Sequence, residues 1–139
     1  MEWVSPKYSK GKVDQAGNLL IAEDPNIFEL ENAYAVINNW RSSHSRPLYT
    51  FRYGLRRHAE RVDGNALVAQ RIKRLSSIIL KLQLLRNMKL SQMQDIGGCR
   101  AVVSSVAEVY EVVKNYKGSD IKHKLLNERD YIKAPRRSG

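Results

Sequence analysis

A single cysteine, Cys99, stands in the 139 residues, so no intramolecular disulfide can form and one chain cannot assemble a thiolate zinc cluster. Long apolar runs are missing too: the longest are cut short by Lys or Arg, and none could cross a bilayer. The N-terminal stretch MEWVSPKYSK lacks the apolar segment of a secretory signal, so the expected compartment is the cytoplasm. No repeat or low-complexity block is present, which excludes solenoids and arrays. Acidic residues are scarce, 14 Asp and Glu against 24 Lys and Arg, for a formal charge of +10. Polyanions are therefore the expected partners, and charge alone does not choose among nucleotides, RNA, DNA and acidic membranes.

What remains is 42% apolar and 27% charged residues, the balance of a globular domain with a modest core. Residues 1–24, with Pro6, Gly11 and Gly17 among polar residues, read as an irregular lead holding at most a short helix. Asp24 and Pro25 form an N-cap and first-turn pair for a helix whose apolar stripe runs through Ile27, Phe28, Leu30, Ala33, Val36, Ile37 and Trp40. After the break SSHSRP, Leu48, Phe51, Leu55 and Ala59 mark a second helix ending near Gly64. ALVAQRIK, residues 66–73, reads as a strand, with Ser76 or Ser77 capping the helix that follows to about Asn87. LSQMQ is a short helical turn and DIGGCRAVV a second strand. Ser105 and Glu108 form a capping box for a helix closed by Gly118, and IKHKLL, residues 121–126, is a further strand candidate before a loop with Pro135 and Gly139. The order predicts an α+β fold: a helical lobe over residues 1–64, then an α+β core over 65–139.

The chemistry concentrates in QRIKRLSSIILK. Arg71 and Lys73 are two apart and would project from one face of a strand, with Lys81 on the next helix. A guanidinium plane, two ammonium groups and a helix N-terminus together suit a nucleotide polyphosphate. The competing reading is a solvated basic strand edge. Asp95, before Gly97 and Gly98, is either a turn residue or a hard oxygen ligand for magnesium beside that phosphate-binding face. Cys99 reads as a buried apolar residue, Trp40 as core, and His44, His58 and His123 as surface or packing residues.

These residues fall into an ordered pattern. R-x-K-x-x-x-S-I-x-x-K (Arg71, Lys73, Ser77, Ile78, Lys81), then D-I-x-G-x-R (Asp95 to Arg100), then RDYIKAPRRSG at 129–139, resembles the synthetase domain of the RelA/SpoT family, and NNWRSSHSRPL, with PKYSKGKVDQAG before it, is similar to its small single-domain members. The resemblance implies a nucleotidyltransferase-like mixed-sheet core behind a helical lobe. It implies GTP diphosphokinase activity, the transfer of the β,γ-pyrophosphate of ATP to the 3′ hydroxyl of GDP or GTP, which yields the alarmones (p)ppGpp of the stringent response. It places Arg71 against adenine with Arg100 as a second face. Lys73 and Lys81 would hold the ATP phosphates, Ser77 the phosphate end of its helix, and Asp95 Mg2+. Arg129, Lys133 and Arg136 would face the acceptor or the transferred phosphates. Asp95 and Arg100 are an odd number apart, which on a regular strand sets them on opposite faces unless Gly97 and Gly98 form a bulge.

In the family the loop continues past the position of Gly139 to a tyrosine that stacks on the acceptor guanine and, later, to a glutamate that activates the hydroxyl. On that reading this chain is the N-terminal portion of a synthetase, with an incomplete core and no turnover expected of it alone. Two rivals stay open: a relative that pyrophosphorylates the 3′ end of tRNA, suited by the +10 charge, and a non-catalytic nucleotide- or RNA-binding module. A homo-oligomer or a regulatory partner protein is compatible with each; membrane attachment is not expected.

Overall fold

The computed structural model describes residues 2–137, so Gly139, expected in the last loop, lies outside the described residues. Among the described residues the fold is α+β, with helices first: α1 (Lys10–Leu20), α2 (Ile27–Ser42), α3 (Ser45–Val62), β1 (Leu67–Ile72), α4 (Leu75–Leu84), a 3₁₀ turn (Leu90–Gln92), β2 (Gly97–Val102) and α5 (Val106–Lys117). No helix among them is long and apolar enough to cross a membrane.

The lead segment is more ordered than its composition predicts. Ser9 caps α1 by accepting from the Lys12 amide, and Val13, Ala16 and Gly17 turn one buried face inward. Gly17, expected to interrupt, instead permits contact, since a Cβ there would lie 3.0 Å from Leu90 Cβ. Asp14 Oδ1 also accepts from the Ser91 amide at 2.8 Å, pinning α1 to the 3₁₀ turn. The start of α2 is two residues later than predicted: Asn26, not Asp24, is its cap, because the Asn26 side chain reaches the amides of Phe28 and Glu29. Ile27 and Phe28 consequently sit exposed on the first turn, and the inward stripe begins further on with Ala33 and Ile37. Trp40 packs half-buried against the core, its ring edge-on to His44.

The core joins Val13 and Ala16 of α1, Ala33 and Ile37 of α2, Ile78 and Leu82 of α4, and Leu90, Met93 and Ile96. β1 and β2 pair antiparallel, with Ala69 opposite Arg100, Arg71 opposite Gly98 and Ile72 opposite Gly97. The ladder is unbroken, so the two glycines make no bulge. Gly97 serves packing: a Cβ there would meet Leu48 of α3 at 2.9–3.0 Å, whereas one at Gly98 would meet nothing within 4 Å. Cys99 is half-buried on the Gly97 face, its thiol against the Leu48 carbonyl and its pKa pushed up by burial. The other face, with Ala69, Arg71, Gly98 and Arg100, is open.

Asp63 joins the exits of α3 and β2 by accepting from the Ser104 amide and hydroxyl. The predicted capping box of α5 is present, Ser105 accepting from the Glu108 amide and bonding its carboxylate. Residues 121–126 form no strand. No ladder joins them to β1 or β2, and Leu125 and Leu126 are exposed, so the local β pattern lacks the edge partner that a strand needs.

Candidate functional site

The antiparallel pairing of β1 and β2 sets the end of one strand beside the start of the other. Lys73 follows β1, and its amide donates to the Ile96 carbonyl at 2.7 Å, extending the ladder by one bond and keeping Lys73 in the same alternation as Arg71. Asp95 lies in the turn that enters β2, not on the strand, so the odd spacing to Arg100 imposes no opposition of faces. Lys81 approaches from α4, whose position is fixed by the buried Ile78 and Leu82.

These three side chains meet. Lys73 Nζ donates to Asp95 Oδ2 and Lys81 Nζ to Oδ1, each at 2.9 Å, so one carboxylate joins two ammonium groups from different elements. Lys73 is well covered, 13% exposed, while Asp95 at 46% remains open to solvent. Partial burial alone would raise the Asp95 pKa, but the hydrogen bonds and charges of Lys81 and Lys73 outweigh it and pull the value down to about 2. A carboxylate held low in the folded state stabilises the fold above its ordinary pKa of 3.8 and loses that contribution as pH falls toward about 2. Acid unfolding followed by circular dichroism should therefore show an Asp95-dependent loss between those values, absent from Asp95→Asn.

Arg71 and Arg100 share the open face of the sheet at diagonal positions, separated by Gly98, which adds no side chain. Neither is in an ion pair among the described residues. Ser77 lies in the first turn of α4 and is exposed, but it does not cap the helix, and neither does Ser76. Arg74 holds the cap position with no side-chain bond, so no side chain takes up the first amides of α4.

Among the described residues no hydrogen bond or ion pair brings Arg129, Lys133 and Arg136 to this group. They gather on their own loop: Arg129 and Arg136 donate to the Tyr131 hydroxyl, Arg136 lies 4.5 Å from that ring, and Lys133 lies 5.7 Å from the Tyr110 ring. The two arginines hold the Tyr131 hydroxyl below its usual pKa, Arg129 contributing most. Asp130 organises the loop by accepting from the Ile132 and Lys133 amides and from Tyr110.

Arg41 was not singled out from sequence. Its Nε donates to the Lys73 carbonyl at 3.0 Å, tying the end of α2 to the strand end that carries the ammonium group. A contact across 32 residues leaves no local signal.

Magnesium fits here in one way only. Among the described residues no three acidic, His or Cys side chains converge, so there is no standing metal cage. One solvent-accessible carboxylate beside two ammonium groups does suit a magnesium ion that brings most of its oxygen ligands with it. His44 and His58 lie edge-on to the Trp40 and Tyr116 rings and His123 lies tilted against Phe51, as packing residues do.

No curated protein is a significant match to this chain. The model of the region found in RelA / SpoT proteins matches residues 70–139, half of the chain and the half that carries Arg71, Lys73, Lys81 and Asp95. The chain therefore belongs to the RelA/SpoT family, with a nucleotide pyrophosphotransferase-like role in general.

Proposed function

We propose that residues 71–100 form the donor-nucleotide site of an ATP:nucleotide pyrophosphotransferase, on a core spanning 65–139 supported by the helices of 1–64. The observation that carries this reading is the paired contact of Lys73 and Lys81 with Asp95. A polyphosphate offers the lysines more negative charge than one carboxylate does, so ATP would draw them off Asp95 and leave that carboxylate free for Mg2+. Arg71 and Arg100 would hold the adenine over Gly98, and the open amides of α4 near Ser77 would face phosphate. Magnesium, when bound, would supply charge neutralisation and alignment of the phosphates.

In the reaction, the 3′ hydroxyl oxygen of GDP or GTP attacks the β-phosphorus of ATP. The bond from that phosphorus to the α,β-bridging oxygen breaks, AMP leaves, and the hydroxyl proton is lost to a base. The work asked of this chain is positioning and charge stabilisation, which dominate phosphoryl-type transfer. Arg129, Lys133 and Arg136 would meet the acceptor.

Titration calorimetry with Mg-ATP tests the donor site. Arg71→Ala should weaken binding roughly tenfold, the order of one cation–π stack. An unchanged affinity would remove adenine from that face. Offering GDP, GTP and tRNA in turn with γ-labelled ATP identifies the acceptor, and label in tRNA alone would replace the alarmone reading.

A further inference from the structure

Helix α3 carries a second cationic surface that the donor site does not use. Its sequence SRPLYTFRYGLRRHAERV holds five arginines and one glutamate. Leu48 and Ala59 turn inward, and Arg46, Tyr49, Tyr53, Arg56 and Arg57 are exposed at spacings of three and four, forming one outward stripe roughly 16 Å long at about 1.5 Å per residue. Its middle is aromatic: Tyr49 is 49% and Tyr53 59% exposed, with arginines at both ends. The Trp3 ring lies tilted against Tyr49 with centroids 5.6 Å apart, and Arg52 lies 5.9 Å from the same ring. The single acid on the helix, Glu60, reaches Arg56 only at 3.9 Å and beyond the last tyrosine.

A solvated helix face would be expected to carry Lys and Glu rather than two half-bare phenol rings. Rings that bases can stack on, bracketed by guanidinium groups for phosphates, are the recognition elements of unpaired nucleic acid. Duplex hides its bases and would meet the arginines alone. We propose that the α3 stripe docks a single-stranded stretch of nucleic acid, with bases on Tyr49 and Tyr53 and backbone phosphates on Arg46, Arg56 and Arg57. The N-terminal end of α3 follows the corner from which Arg41 grips Lys73, so a strand lying along α3 would run toward the Lys73 end of the sheet.

The inference is independent of the ATP reading. Fluorescence anisotropy of a labelled twelve-nucleotide oligouridylate, with the same length of RNA duplex as comparison, tests it. The single strand should bind more tightly than the duplex. Tyr49→Ala with Tyr53→Ala should weaken it at least about tenfold, and Tyr49→Phe with Tyr53→Phe should restore it while circular dichroism stays unchanged throughout. Arg56→Gln with Arg57→Gln should flatten the salt dependence. Equal affinity for duplex, an unchanged affinity of the double alanine variant, or displacement of the oligonucleotide by saturating Mg-ATP would each overturn the assignment.

Discussion

Lys73→Met together with Lys81→Met is expected to weaken Mg-ATP binding at least about a hundredfold and to leave the fold intact. Each ammonium group makes a 2.9 Å contact with Asp95 and would make an equivalent one with a phosphate oxygen. Hydrogen bonds between charged groups contribute about 1.5–3 kcal/mol apiece, so losing two removes two to four decades of affinity. The fold should survive because Asp95 is open enough for water to replace its partners, and because Met keeps the apolar stem by which Lys73 is covered. With its counter-charges gone, the Asp95 carboxyl should titrate back toward the ordinary range. Calorimetry for the affinity and carboxyl NMR for the titration measure the two halves separately. Full ATP affinity in the double variant would mean that the phosphates bind elsewhere.

Ile78→Ala should have the largest effect on stability. Ile78 is fully buried, one residue after Ser77 and three before Lys81, in the cluster with Ile37, Leu90 and Ile96. Truncating a buried isoleucine removes transfer energy and leaves a cavity, at a cost of about 2–5 kcal/mol. Helix α4 is only 10 residues long, too short to persist without its packed face, so the loss should fall on the element that presents Lys81. Urea unfolding gives the difference directly, and a shift of the midpoint with an unchanged slope is the expected form. A near-neutral result would place α4 outside the cooperative core.

The grouping of Lys73, Lys81 and Asp95 was legible because each signal was local: alternation along a strand, a helix directly after it, and an acid at the mouth of the next strand. The Ser105 cap was legible for the same reason. The misses share a different cause. Asp24 and Asn26 are both good caps, and which one acts depends on which side chain reaches two amides, a matter of two residues in phase. Ser76 and Ser77 suit a cap as residue types, yet β1 ends early enough for α4 to begin before them. Gly97 and Gly98 look alike in sequence, but one faces Leu48 and the other faces open space. Residues 121–126 have a strand's composition but pair with neither edge of the two-stranded sheet. Arg41, which braces Lys73 by its backbone, is placed by the packing of α2 and not by any motif.

Manganese binding, followed by its paramagnetic resonance as a stand-in for magnesium, is the most direct measure of whether two lysines guard a carboxylate meant for a nucleotide's metal. Added to the chain without nucleotide, the ion should stay free in solution, because both Asp95 oxygens are engaged. Added with ATP, it should be taken up with the nucleotide, and Asp95→Asn should reduce that uptake sharply. Manganese held equally well without ATP, or ATP-dependent uptake that Asp95→Asn leaves untouched, would contradict the account.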